Sequence, residues 1–67
     1  MRISYNKLWK MLIDKNMKKS DLREKAGISS ASLAKLGKGD NITTDVLLRI
    51  FEVMDCRIED ILETVRD

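Results

Sequence analysis

The sequence predicts an all-α fold, a compact bundle of five short helices forming one domain over residues 1–67. Three observations carry this reading. Apolar residues recur three and four apart along successive segments, and only the first few residues would suit a strand. The chain has no proline, and its three glycines fall where helices are expected to weaken or end. Its hydrophobic share of 43% beside 36% charged residues suits a soluble globular chain, not a disordered one.

The first helix is expected over residues 4–15, with Leu8, Met11, Leu12 and Lys15 on one face and Asn16 stopping it. Tyr5, Trp9 and Ile13, spaced by four, form a second apolar stripe. The two stripes cover roughly 200° of the helix at about 100° per residue, more than one core contact needs. The extra stripe either packs on the C-terminal helix or serves as a dimer surface. The second helix is expected over 19–26 and the third over 30–38, where Gly37 and Gly39 weaken and end it. Residues 40–42 form a loop. Thr43 then caps a fourth helix over 44–54, on which Leu47, Ile50, Phe51 and Met54 repeat at helical spacing. Asp55, Cys56 and Arg57 break the chain. A fifth helix is expected over 58–65, placing Ile58, Ile61, Leu62 and Val65 on one side and Glu59 and Asp60 in the first turn, where they complement the helix dipole. Residues 1–3 suit either a short β segment or an extended arm.

Several function classes have little support. The chain contains no histidine, so the usual general base and the usual metal ligand are missing. No glycine-rich phosphate loop and no nucleophile elbow is present. The expectation is a non-enzyme with no cofactor and no metal. Cys56 stands alone, which excludes an internal disulfide and fits a reducing compartment. It reads as a small buried hydrophobe, with redox sensing as the alternative. No apolar run approaches the ~18–20 residues of a membrane span, and the N-terminus lacks the apolar core of a signal peptide. A cytoplasmic location with no membrane partner is expected. The chain is also expected to leave no room for a ligand-binding domain after the fifth helix.

The net charge of +2 conceals an asymmetry. Residues 1–39 carry ten basic and three acidic side chains, a balance of +7; residues 40–67 carry three basic and eight acidic ones, a balance of −5. The basic half could meet a polyanion, or its lysines could simply be solvated helix charges.

The stretch DLREKAGISSASLAKLGKG, residues 21–39, narrows this. Gly27 sits where the second helix must end, in a position that commonly takes a positive φ. Ile28 can then plug the core while Ser29 caps the third helix. With Leu22, Ala26, Ile28, Leu33 and Leu36 turned inward, the outward residues of the third helix are Ser30, Ala31, Ser32, Ala34, Lys35 and Lys38. That face is small, hydroxyl-rich and basic, and it contains no acid. It suits close approach to the major groove of DNA by the second helix of a helix-turn-helix.

At this point the run MKKSDLREKAGISSASLAKLGKG, residues 17–39, resembles the helix-turn-helix of the Cro/phage-repressor (XRE-type) transcriptional regulators. The residues that carry the resemblance are Leu22, Ala26, Gly27, Ile28 and Ser29. Residues 43–62, TTDVLLRIFEVMDCRIEDIL, are similar to that family's fourth and fifth helices. The resemblance implies a lambda-repressor-like DNA-binding domain and a small stand-alone repressor whose partner is double-stranded DNA, acting as a homodimer. It places Lys18 and Lys19 at phosphates beside the second helix, and Ser29, Ser30, Ala31 and Ser32 at base edges. Lys35 lies one turn further on, and Lys38, Asn41 and Thr43 near the far phosphates. Tyr5, Trp9 and Ile13 are the candidate dimer surface. Two features depart from the family pattern. Arg23 stands where alanine is usual, so its stem either lies along the surface or the two helices splay. The reading positions are short, which shifts specificity toward DNA shape or half-site spacing. Two alternatives stay open: an antitoxin-type regulator with a toxin partner, and a protein-interaction module that has lost DNA binding.

Overall fold

A computed structural model describes residues 1–66. The order of elements is β1 (Arg2–Ser4), α1 (Asn6–Asp14), α2 (Lys19–Ala26), α3 (Ser30–Lys38), α4 (Thr44–Met54), a 3-10 turn (Ile58–Asp60) and β2 (Glu63–Val65). The expected bounds of the second, third and fourth helices agree with α2, α3 and α4.

The fifth helix is corrected. Among the described residues there are four α-helices, not five, and residues 58–65 form one 3-10 turn followed by a strand. Half of that segment is β-branched (Ile58, Ile61, Thr64 and Val65), which disfavours a helix already too short to be stable alone. Its backbone has a better use. β2 pairs antiparallel with β1, matching Arg2 with Val65, Ile3 with Thr64 and Ser4 with Glu63. This settles residues 2–4 as strand, and it delays α1 by two residues from the expected start. The helical spacing of the apolar residues was a true burial signal in a different element: Ile61 is fully buried, while Ile58 stands 53% exposed. Asp60 accepts a hydrogen bond from the Arg57 backbone N–H at 2.9 Å, so it caps one turn and no more.

All four helices end the same way. Asn16, Gly27, Gly39 and Asp55 take φ values of 56°, 65°, 76° and 50°. The residue after each donates its N–H back five positions: Met17 to the Leu12 carbonyl (2.8 Å), Ile28 to Arg23 (3.2 Å), Asp40 to Lys35 (2.9 Å) and Cys56 to Phe51 (3.2 Å). This is the Schellman closure, in which a left-handed residue lets the chain reverse and satisfies helix-end carbonyls. Three of the four donors carry apolar side chains that turn back onto the core: Ile28 is buried, and Met17 and Cys56 pack against it half-buried.

The core joins Leu8 and Leu12 of α1, Leu22 and Ala26 of α2, Ile28, Leu36 of α3, Leu47, Ile50 and Met54 of α4, and Ile61. Two expectations change here. Leu33 stays half-exposed at the side of α3 and outside the core, because Ile28 and Leu36 already fill the space beneath that helix. Tyr5 does not stand on an outer stripe. It is 5% exposed, and its hydroxyl donates to the Asp40 carbonyl at 3.0 Å, tying the start of α1 to the end of α3.

Cys56 is half-buried as a small core-facing side chain. Burial, with the Asp60 carboxylate second, pushes its thiol up, Asp55 adds to this and Lys15 opposes it. A protonated thiol is a poor nucleophile, which argues against redox sensing.

Burial first, then the Asp40 carboxylate, pushes the Tyr5 phenol above its ordinary value. The folded state therefore holds this proton more tightly than the unfolded chain, and the associated stability is lost as pH rises past about 10. Tyr5→Phe is expected to destabilise the fold by about 1 kcal/mol at neutral pH through loss of the hydrogen bond. The gap between the two proteins should narrow above pH of about 10. Urea denaturation at neutral and alkaline pH measures both effects.

Candidate nucleic-acid interface

α3 owes its placement to the turn before it. Leu22 and Ala26 anchor α2 in the core, Gly27 reverses the chain, and Ile28 buries as a plug. Ser29 then caps α3, its Oγ accepting the Ser32 N–H at 3.1 Å. The turn is also held from the far side. Arg49 of α4 donates from Nη1 to the Gly27 carbonyl at 3.1 Å, while its Nε lies 3.3 Å from the Asp45 carboxylate. Asp45 thus orients the arginine one helical turn along α4, and the arginine closes the turn. Sequence reasoning missed this clamp. Its only trace in the sequence was the acid–base spacing of four.

The other end of α3 is fixed by Gly39 and by the bond from Tyr5 to the Asp40 carbonyl. Between these anchors α3 leaves Ser30, Ala31, Ala34, Lys35 and Lys38 exposed. These side chains are short or basic, and Leu33 flanks them half-exposed. Arg23 takes the first of its two options: half-buried along α2, with its guanidinium 4.0 Å from the Glu24 carboxylate. The exposed salt bridge is worth little.

The candidate residues differ in what they have free. Lys18, Lys19, Ser30, Ala31, Lys35, Lys38 and Asn41 are exposed. Lys18 opens α2, where its backbone N–H donates to Asp21 Oδ2 at 3.0 Å. Ser29 and Ser32 are joined: the Ser29 hydroxyl donates to Ser32 Oγ at 3.1 Å while accepting from the Ser32 backbone. The Thr43 hydroxyl caps α4, accepting the Val46 N–H at 3.2 Å. The Ser29 and Thr43 hydroxyls are thus engaged in shaping the helix starts. Lys38 borders a polar cleft with Arg2, Ser4 and Asn6, between β1 and the end of α3. Of the expected dimer stripe, Tyr5 is core, Trp9 is half-buried and Ile13 is 76% exposed. Among the described residues no group of histidine, cysteine or carboxylate side chains could hold a metal ion, and no helix is long and apolar enough to cross a membrane.

The arrangement matches known proteins. The family model for the Cro/C1-type HTH DNA-binding domain matches residues 7–67. The crystal structure of the transcriptional regulator VanUg, form II, is similar with a TM-score of 0.94 and 52% sequence identity, over 98% of this chain and 88% of that one. Among curated proteins no significant match is found.

Two glycine substitutions separate the conformational demands of the site. A Cβ on Gly27 meets nothing within 4 Å, so any cost comes from its left-handed backbone. Gly27→Ala is expected to destabilise by about 1–2 kcal/mol, lowering Tm by roughly 4–8 °C for each kcal/mol. Gly37 lies inside α3 with the same open space around it, and Gly37→Ala is expected to stabilise by about 0.4–1 kcal/mol. Thermal denaturation of the two variants checks the opposite signs.

Proposed function

The chain belongs to the Cro/C1-type helix-turn-helix DNA-binding domains, and we propose that it is a small repressor that binds double-stranded DNA as a homodimer, with α3 in the major groove. The observation that carries this is the outward face of α3: small, basic and free of acid, on a helix locked at both ends. A rigid helix with short side chains lets the backbone approach base edges closely. Ser30 can hydrogen-bond to several bases, and Ala31 can touch a thymine methyl. Lys18, Lys19, Lys35 and Lys38 supply phosphate contacts around that helix, and Asn41 lies near the same backbone in the loop beyond α3. With Ser29 and Ser32 hydrogen-bonded to one another, direct base reading is modest. Shape and half-site spacing then carry more of the specificity. Ile13 and Leu48, 76% and 57% exposed, supply apolar surface for a second copy to cover.

A protein-interaction module that keeps this fold without binding DNA is supported by the same exposed apolar residues together with the acidic balance of residues 40–67. The two readings differ in what the lysines do. Replacing Lys19, Lys35 and Lys38 together by alanine should weaken binding to every duplex. It should also flatten the salt dependence by roughly one unit of slope for each phosphate the protein no longer neutralises. Selection from a randomised duplex library should enrich a palindrome with half-sites about 10 base pairs apart. Binding without enrichment would leave a nonspecific DNA binder. No salt-dependent binding at all would shift the weight to the protein partner.

A further inference from the structure

Trp9 packs half-buried against the core and also faces a cation from another helix. The Lys19 ammonium lies 4.5 Å from the centroid of the Trp9 ring. The two residues come from different elements, α1 and the first position of α2, brought together by the reversal at Asn16. They share a shallow recess with Leu12, Ile13 and Met17. Leu12 and Met17 are themselves fixed, because the Met17 N–H donates to the Leu12 carbonyl at 2.8 Å. Trp9 is half-buried against the core, so the ring is held from one side and presents a face to the lysine.

We propose that Trp9 is a positioning residue for DNA binding: its indole face holds the Lys19 ammonium where a backbone phosphate arrives. This rests on the DNA-binding reading above. An exposed lysine is flexible, and confining it on binding costs side-chain entropy. The electron-rich face of the indole attracts the cation, and the apolar recess takes the lysine stem. The ammonium has three N–H groups. Those turned away from the ring stay open to phosphate oxygens. Lys19 is thus pre-oriented before DNA arrives, while Lys35 and Lys38 keep the freedom of ordinary surface lysines.

Trp9 is the chain's only tryptophan, so fluorinated tryptophan incorporated in culture alters this one ring. Fluorination drains the face of the ring with little change in its shape. The test measures affinity of the full chain for a short mixed-sequence duplex at low salt. Affinity should fall stepwise with the number of fluorines, and Trp9→Leu should bind about two- to five-fold more weakly. Trp9→Phe should fall between the two. In a Lys19→Met background all of these changes should vanish, as expected for two residues acting as one unit. Affinity indifferent to fluorination, an unaltered effect in the Lys19→Met background, or a Lys19→Met protein that binds as well as the wild type would each overturn the proposal. If the wild type binds no duplex at low salt, the DNA-binding reading itself fails and this proposal fails with it. The fluorinated series keeps the test decisive should Trp9→Leu not fold.

Discussion

The left-handed turn at Gly27 is the constraint on which the rest of the molecule depends. It ends α2 after the core has taken Leu22 and Ala26, and it drops Ile28 into that core within one residue. Two elements then converge on it. Ser29 starts α3 by capping it, and Arg49, oriented by Asp45, reaches across from α4 to the Gly27 carbonyl. The direction of α3, and so the direction of its basic face, follows from these contacts. A residue with a Cβ at this position would strain the backbone whatever the space around it.

The same closure recurs at the ends of α1, α3 and α4, with Asn16, Gly39 and Asp55 in the left-handed position. Four reversals of one kind let a short chain fold four helices around one core without proline and without long loops. Asparagine and aspartate tolerate this conformation better than other residues with side chains. The two glycines flank α3, the helix that has to be aimed. The other two reversals do secondary jobs. The one at Asn16 brings Lys19 over Trp9, and the one at Asp55 turns the chain toward the strand that pairs with β1.

Much of this was legible in the sequence, for identifiable reasons. Gly27 followed by Ile28 and Ser29 encodes stop, plug and cap in adjacent residues, so α2 and α3 could be bounded from local chemistry. Thr43 did the same for α4. In the segment after Asp55, Ile58, Ile61, Leu62 and Val65 recur at helical spacing, and burial alone does not say which element buries them. What decided it was the non-local pairing of β1 with β2, which no local pattern records. The place of Tyr5 is hidden for a related reason: its partner, the Asp40 carbonyl, is 35 residues away. The lysines and short side chains of the candidate interface could be read directly. The Arg49 clamp and the Lys19–Trp9 contact could not, since both depend on how separate helices meet.

The proposed function stands or falls on whether α3 and the start of α2 meet DNA. The most direct measurement is a titration of isotopically labelled protein with a duplex, followed by amide chemical shifts. The largest shifts are expected at residues 29–38 and at Lys18 and Lys19, with small ones at Glu52 and Glu59. Shifts concentrated on α4 and the segment after it, with α3 unmoved, would contradict the claim.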